Sequence, residues 1–247
     1  MYRNRIIPCL LLKDKALVKT VKFDKPRYIG DPLNAVKIFN DKGVDELFFI
    51  DIEASKQKKD VNFDLLSKIA SQSFMPLGYA GGLHDISDMK KIFSIGFEKI
   101  SLNSSVLYDP GIVAKASETF GSQSVLVSID VKKDLFGKYF VYNHVIKKNT
   151  SLDPIDYAMK VQDLGAGEII LNSVDNDGVM KGYDLALIKK VASSLSIPVV
   201  ALGGAGTSDD LRKAVDAGAS AAAAGSLFVF YGPNHAVLIN YSYGDTL

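Results

Sequence analysis

The sequence predicts a (β/α)8 barrel, an α/β fold of the TIM type, in a chain of 247 residues. The first reason is that short runs rich in Val, Ile, Leu and Phe recur, as strands buried on both faces of a parallel sheet require. The second is that the segments between these runs space their apolar residues with the period of a helix. The third is that the spacing of the runs repeats after the fourth one. Eight strands alternating with helices over about 250 residues are typical of this barrel.

The strands follow one another along the chain, each marked by an apolar run. The first run is Ile6–Leu12, and the fifth, Val125–Asp130, ends on a carboxylate. Between the sixth and seventh runs, residues 187–195 place Leu, Ile and Val on one helical face and two lysines on the other. The eight strands are expected to begin near Ile6, Glu46, Pro76, Lys99, Val125, Glu168, Pro198 and Ala221. A doubly wound open sheet is the alternative, but no Gly-x-Gly-x-x-Gly motif follows the first strand to support it.

The chain also repeats itself. Matching residues recur at a constant offset of 122 positions: Gly43 with Gly165, Pro76 with Pro198, and Gly82 with Gly204. A repeat of this length suggests duplication of a (βα)4 unit whose copies close on each other, which leaves no sheet edge. We therefore expect one domain over 1–247, with half-barrels at about 1–122 and 123–230 and a short, atypical tail at 231–247.

Composition excludes several classes of protein. Lys and Arg number 29 against 28 Asp and Glu, so no excess of positive charge marks the whole chain for nucleic acid or for an anionic membrane. One cysteine, Cys9, excludes an internal disulfide framework, and three scattered histidines do not form a zinc motif. The apolar run Ile6–Leu12 is shorter than the ~18 residues of a membrane span. We expect a cytoplasmic protein without membrane insertion, metal or cofactor.

Two pairs of strand ends carry small residues that suit anion binding. The third and seventh strands end in Gly81-Gly82 and Gly203-Gly204, and the fourth and eighth in Asn103-Ser104 and Gly225-Ser226. Glycines let backbone N–H groups approach an anion, and hydroxyls add donors. Each half thus carries a candidate phosphate cradle, and a ligand phosphorylated at both ends would fit the two. The alternative is that these glycines only serve tight turns.

Other strand ends carry polar groups, namely Asp51, Asp130, Asn172, Asp175 and Asp177-Gly178. A carboxylate that closes an apolar strand is costly to desolvate unless it has a role or a partner. Asp130 is therefore the best candidate for a general acid or base, and a structural hydrogen bond is the alternative. The matching position of the first strand is Leu11, so the face has one carboxylate where symmetry allows two.

Charged residues begin four strands at the opposite end of the predicted barrel: Arg5, Glu46, Lys99 and Glu168. Four charges that point toward the barrel axis are costly unless they pair in a ring. Separate, solvated charges are the alternative.

Taken together, nine segments resemble the HisF family, the cyclase subunits of imidazole glycerol phosphate synthase. They are Arg5–Leu10, Gly30–Pro32, Asp45–Leu47, Asp51–Ser55, Gly81–Gly82, Lys99–Asn103, Phe120–Gln123, Gly165–Glu168 and Asp177–Gly178. The resemblance implies a (β/α)8 barrel that pairs with a HisH glutaminase, whose ammonia crosses the barrel to a site for a bisphosphorylated substrate.

Position by position, the resemblance also implies roles for individual residues. Lys19 matches a substrate-binding lysine, Asp130 one of two catalytic aspartates, and the four charges at the strand starts a gate for ammonia. One phosphate is implied at Gly82, Asn103 and Ser104, and the other at Asp177, Gly178, Gly204, Gly225 and Ser226. Asp51 is expected among the binding residues.

Three departures from the family pattern bear on function. Leu11 stands where the family carries its other catalytic aspartate, and leucine transfers no proton. Leu202 replaces a small polar residue, and the segment from Pro233 leaves little room for a last helix. The segments Pro8–Lys13, Leu17–Phe23 and Gly225–Phe230 resemble HisF paralogues of surface-polysaccharide gene sets.

Those paralogues are associated with a HisH-like glutaminase and an ATP-dependent amidotransferase that convert an acetamido sugar into an acetamidino sugar. The leading hypothesis is thus an ammonia-conducting subunit of such a system. The alternatives are an authentic cyclase of histidine biosynthesis and a noncatalytic scaffold for a phosphorylated ligand.

Overall fold

Eight parallel strands close into a barrel in the computed structural model, which describes residues 4–57 and 59–241. The ring is complete because β1 pairs with the last barrel strand, Arg5 opposite Ala221, as well as with the second, Cys9 opposite Phe48. The barrel strands are β1 Arg5–Lys13, β2 Leu47–Asp51, β3 Leu77–Ala80, β4 Lys99–Leu102, β5 Val125–Lys133, β6 Glu168–Ser173, β7 Val199–Leu202 and β8 Ala221–Ala224. Each begins within one residue of its predicted start, and the predicted (β/α)8 fold is confirmed.

Helices connect successive strands on the outside of the barrel. Several begin at a side chain that caps free backbone N–H groups, as Asp31 and Asp153 do ahead of a proline. The predicted amphipathic segment forms a helix that buries Leu187, Ile188 and Val191. The helices are α1 Pro32–Lys42, α2 Ala54–Gln57, α3 Phe63–Gln72, α4 Ile86–Ser94, α5 Ser104–Tyr108, α6 Gly111–Phe120, α7 Pro154–Asp163, α8 Leu185–Ala192, α9 Ser208–Asp216 and α10 Ser226–Val229, with a 3-10 turn at Ser122–Ser124.

The core has two layers. The larger one fills the space between strands and helices. The smaller one lies inside the barrel and consists of Ile7, Cys9, Phe48, Ala80, Leu126, Ile170, Val200, Leu202, Ala221 and Ala223. Gly78 belongs to the inside as well, since a Cβ at this position would lie 2.2 Å from the ring of Phe48.

Two hairpins that the sequence did not predict rise from the carboxyl ends of the strands. One, after β1, pairs Ala16–Val21 with Asp24–Gly30, and the other, after β5, pairs Tyr139–Asn143 with the end of β5. The first hairpin turns at Lys22 and Phe23, which both adopt positive φ. Non-glycine residues seldom do so, and the usual Asn-Gly or Asp-Gly signal is missing.

After β8, the described residues form one short helix, α10, and a small hairpin. After α10, Phe230–Tyr231 pairs with Ala236–Val237, and the buried Tyr241 packs on Phe228 with ring centroids 5.4 Å apart. The predicted tail at 231–247 lies partly outside the described residues. The division into half-barrels stays a prediction. Among the described residues, no helix is long and apolar enough to cross a bilayer.

Candidate functional site

A pocket opens at the carboxyl ends of the barrel strands, with about 990 Å³ of empty space that includes open solvent at its mouth. A recess of about 200 Å³ adjoins it, and Lys19, Asp177 and Gly225 line both. Every predicted binding or catalytic residue at this end lies on the surface of one or the other. The pocket is lined by Lys19, Asp51, Gly82, Asn103, Ser104, Asp130, Asp177 and Gly225, and the recess by Asp177, Gly178, Gly204, Gly225 and Ser226.

The first candidate phosphate cradle lies beside β3 and β4. Gly81 and Gly82 have φ of 128° and 68°, and a Cβ on Gly81 would lie 2.6 Å from the carbonyl oxygen of Asp51. The chain therefore requires glycine here for its turn, whether or not an anion binds. The N–H of Gly82 donates to Ser55 Oγ at 3.3 Å, and Asn103 and Ser104 complete the cradle.

The second candidate cradle is the recess beside β7 and β8. A Cβ on Gly204 would lie 2.2 Å from the carbonyl oxygen of Gly182, so close packing also requires this glycine. Ser226 is 4% exposed, and its hydroxyl has no hydrogen-bond partner among the described residues. A buried hydroxyl without a partner is costly, and an anion in the recess would satisfy it.

Lys19 crosses the pocket from the first hairpin. Its ammonium donates to both carboxylate oxygens of Asp177, at 3.0 and 3.2 Å, and to the carbonyl of Thr20 at 2.9 Å. A Cβ on Gly225 would lie 3.0 Å from Lys19 Cε, so this glycine makes room for the lysine stem. Lys19 and Asp177, predicted as two separate ligand contacts, therefore form a buried ion pair with each other.

Asp130 lies within β5, buried beneath the pocket. The strand does not end at this carboxylate, where the sequence predicted its end, because residues 131–133 continue it and pair with the second hairpin. Its Oδ2 accepts from Asn103 Nδ2 at 2.9 Å, and its Oδ1 accepts from Asn172 Nδ2 at 3.1 Å. His144 Nδ1 lies 3.3 Å from Oδ2. The carboxylate thus has fixed partners and still borders the pocket, as a group that exchanges protons with a ligand must.

The wall supplied by β1, β2 and β7 is largely apolar. Leu11, Ile50 and Leu202 line the pocket there. Leu11 occupies the position at which the barrel symmetry would allow a second proton-transferring carboxylate, as the sequence indicated. Asp51 also borders the pocket, but its Oδ1 accepts from the N–H groups of Glu53 and Ala54. Burial raises the pKa of Asp51 despite these two donors.

The opposite mouth of the barrel carries the four predicted charges, and they form one closed ring. Arg5 contacts Glu46 at 2.6 Å and also Glu168, while Lys99 Nζ lies 2.9 Å from Glu46 and 3.3 Å from Glu168. Burial opposes the charge on Arg5, but Glu168 and Glu46 outweigh it and raise the pKa of the guanidinium. The alternative of separate, solvated charges is wrong, because both glutamates are buried and shared by the two cations.

Comparison with known proteins places this architecture in a family. A family model described as a histidine biosynthesis protein matches residues 5–233. A Pseudomonas aeruginosa protein named "Putative imidazole glycerol phosphate synthase subunit hisF2" is 47% identical over 242 residues, 98% of this chain and 96% of that protein. A Vibrio vulnificus protein named "Putative imidazole glycerol phosphate synthase subunit hisF3" is 48% identical over 243 residues, 98% and 94% of the two chains.

A third relative comes from Alkaliphilus metalliredigens. It is named "Imidazole glycerol phosphate synthase subunit HisF" and is 40% identical over 229 residues, 92% of this chain and 91% of that protein. The chain therefore belongs to the histidine biosynthesis protein family, among its HisF subunits. The predicted resemblance is confirmed.

Among the basic side chains that line the pocket, sequence reasoning missed His144 and Lys56. His144 was counted only as one of three scattered histidines. The turn Asp134–Gly137 between two apolar and aromatic runs was the available signal, since a hairpin there folds its second strand back along β5. Burial, followed by the charge of Lys147, lowers the pKa of Lys56 at the same edge of the pocket.

Proposed function

We propose that this chain is the HisF-like subunit of a glutamine-dependent amidotransferase system. A HisH-like glutaminase docks on the mouth that carries the charged ring, and its ammonia crosses the barrel to the pocket. The observation that carries the proposal is the combination of a complete ring at one mouth with a pocket in which Leu11 replaces a catalytic aspartate.

The lining of the barrel interior suits a small neutral molecule better than an ion. Between the ring and the pocket the inward side chains are apolar or small, with Ala80, Ala221 and Ala223 among them. The hydroxyls of Ser101 and Ser128, 2.7 Å apart, are the polar groups on this route that border the pocket floor. Ammonia crosses such a surface at a lower desolvation cost than ammonium.

The destination of the ammonia is the finer part of the proposal. Segments of β1, the first hairpin and α10 resemble HisF paralogues of surface-polysaccharide gene sets, and two relatives carry the numbered names hisF2 and hisF3. We therefore assign the nitrogen to conversion of an acetamido sugar into an acetamidino sugar by a separate ATP-dependent amidotransferase in the cytoplasm. The two cradles retain a small phosphorylated ligand.

Complementation tests this assignment. A histidine auxotroph that lacks its cyclase subunit should fail to grow when it carries this gene, and should grow with an authentic HisF expressed at the same level. Reconstitution of this chain with the HisH-like glutaminase, the sugar amidotransferase, ATP, glutamine and the acetamido sugar should yield the acetamidino product. Growth of the auxotroph at the rate given by authentic HisF would refute the proposal.

An authentic cyclase of histidine biosynthesis is the second candidate. Both cradles and Asp130 support it, because a bisphosphorylated substrate would span the pocket between Gly82 and Gly204. The purified chain supplied with ammonium salt and the bisphosphorylated precursor decides between the two. Turnover near that of an authentic cyclase would favour this candidate.

A further inference from the structure

The two hairpins at the pocket mouth are far more basic than the rest of the chain. With their adjoining residues they span 13–30 and 131–149, which contain eleven Lys and Arg against three Asp, a formal charge of +8. The whole chain has a formal charge of +1, so the remainder carries −7. We call these two segments the basic crown. The positive charge of the protein is thus concentrated on the side of the barrel where the pocket opens.

The basic crown borders the pocket mouth from two sides. Lys19, Thr20 and Phe23 of the first segment line the pocket, and so does His144 of the second. The two segments also approach each other, since the ring centroids of Phe23 and Tyr142 lie 6.3 Å apart. A molecule seated over the mouth of the pocket must therefore contact the crown.

Much of the positive charge of the crown has no partner within the part of the chain that the structure describes. Lys13, Lys19 and Lys133 each contact a carboxylate. Six exposed lysines make neither an ion pair nor a hydrogen bond through their ammonium groups among the described residues: Lys15, Lys22, Lys25, Lys138, Lys147 and Lys148. Unpaired charges of one sign attract an acidic surface and speed its approach.

The second hairpin adds an apolar anchor to this charge. Leu135 and Phe136 form the tip of its turn and are 101% and 95% exposed. Asp134 Oδ1 accepts from the N–H groups of Phe136 and Lys138, both at 2.9 Å, which holds the turn in one shape. Large apolar side chains on a rigid turn bury area on binding with little loss of conformational freedom.

The base of this hairpin is fixed to the barrel. Tyr139 Oη donates to both carboxylate oxygens of Asp184, at 2.9 and 3.1 Å, and Lys133 Nζ lies 2.8 Å from the same carboxylate. Asp184 also caps α8, because its Oδ1 accepts from the N–H of Leu187. The tip of the hairpin is therefore presented on a support that is already in place before a partner binds.

The chemistry of ammonia indicates which partner this surface receives. In open solvent at neutral pH ammonia takes up a proton, and ammonium has no lone pair with which to attack carbon. Because the pocket opens to solvent, nitrogen that leaves the barrel stays reactive where another protein covers the mouth and excludes water. An anionic bilayer would match the charge of the crown, but it offers no acceptor for the nitrogen.

We propose that the basic crown is the docking surface for the enzyme that consumes the ammonia, and that this enzyme presents an acidic face with an apolar pocket for Leu135 and Phe136. The inference rests on the proposed function, in that nitrogen leaves the barrel through this pocket. The unpaired lysines steer the acidic face to the pocket mouth, and the tip of the second hairpin anchors it. The charged ring and the crown then bind different partners at opposite ends of one barrel.

Direct binding tests the apolar anchor. The sugar amidotransferase is titrated against this chain, in complex with the HisH-like glutaminase, by biolayer interferometry. Phe136→Ala should weaken binding by ~30-fold, as loss of a buried aromatic anchor does. Met159→Ala, which removes an exposed apolar side chain from α7, is the matched control and should bind as the unmodified chain does. Both variants should keep the Tm of the unmodified chain, because the substituted side chains are exposed.

A pair of charge reversals tests the lysines in the same assay. Lys147→Glu combined with Lys148→Glu should slow association by ~10-fold at low salt, and added salt should shrink the difference. Lys37→Glu combined with Lys68→Glu changes the net charge equally at exposed positions of α1 and α3, and should associate at the unmodified rate.

The fate of nitrogen tests the consequence of docking. In the reconstituted glutamine-dependent system, Phe136→Ala should divert nitrogen from acetamidino product to free ammonium while glutamine hydrolysis continues. Excess ammonium salt should restore product, because it reaches the amidotransferase without passing through this chain.

Affinity and association rate that neither Phe136→Ala nor the double reversal at Lys147 and Lys148 changes would overturn the proposal. So would binding to vesicles of phosphatidylglycerol and phosphatidylcholine without binding to the amidotransferase, since the crown would then belong to a membrane surface. If the reconstituted system makes no acetamidino product at all, the proposed function fails, and the binding measurement still decides whether the crown is the docking surface.

Discussion

Replacing Arg5 with alanine should destabilise the barrel and break the link between glutamine hydrolysis and amidation. Arg5 contacts two buried carboxylates, Glu46 and Glu168, from strands on different sides of the barrel. Its removal leaves Lys99 as the remaining cation of the ring for both. One of the two buried negative charges is then uncompensated.

The size of the effect follows from these contacts. Removing one partner of a buried ion pair costs ~3 to 5 kcal/mol. The Arg5 side chain is 31% exposed and Lys99 stays within 3.3 Å of Glu168, so we expect the low end. About 3 kcal/mol lowers Tm by roughly 6 to 12 °C in a chain of this size.

Two measurements check this prediction. Thermal unfolding followed by circular dichroism should show the lower Tm, and Lys115→Ala, which breaks an exposed ion pair with Asp109, should leave Tm nearly unchanged. In the reconstituted system, Arg5→Ala should lower glutamine-dependent product, and added ammonium salt should restore it. A decrease in Tm of less than about 2 °C, together with an unchanged glutamine-dependent yield, would show that the ring neither stabilises the barrel nor controls passage.

Three further predictions address the pocket. Leu11→Asp should raise ammonium-dependent turnover of the bisphosphorylated cyclase precursor by up to ~10²-fold, and Leu11→Asn, which transfers no proton, should not; equal rates for the two variants would contradict this reasoning. Ser226→Ala should weaken binding of inorganic phosphate by ~10-fold in calorimetry, because a hydrogen bond to a charged group is lost, whereas the exposed Ser71→Ala should bind as the unmodified chain does. Burial raises the pKa of the Cys9 thiol to about 12, so the folded chain at pH 8 should react with Ellman's reagent only as it unfolds. The raised pKa also stabilises the folded chain below about pH 9, and this contribution is lost as the pH rises toward 12. Rapid reaction of folded protein would contradict the burial of Cys9.

The barrel could be predicted because its signal is local. Strands such as β6 and β7, buried on both faces, show as continuous apolar runs in the sequence itself. The position of the charged residues along their strands could also be predicted, since Arg5 and Lys99 are the first residues of β1 and β4. That each cation bridges both glutamates depended on distances across the barrel that no spacing gives.

The hairpins and the contact of His144 with Asp130 could not be predicted, for a different reason. The first hairpin turns through positive φ at Lys22 and Phe23, residue types that give no turn signal. The approach of His144 depends on the register of the second hairpin, and a slip of one residue would turn its side chain to the other face. That the second hairpin brings His144 to the pocket could therefore not be predicted from the sequence.

The pairing of β1 with β8 has a consequence for synthesis of the protein. Arg5 to Pro8 lie opposite Ala221 to Ala224, so the first strand finds its second neighbour only after nearly the whole chain has left the ribosome. Until then, β1 and the most recently synthesised strand each have an unpaired edge. Such edges favour association between nascent chains. Tyr241, whose hydroxyl reaches the carbonyl of Ile6 at 3.5 Å, joins this seam last. Chaperone dependence during expression, and aggregation of fragments truncated before Ala221, are the expected cost of a sheet that closes with its final strand.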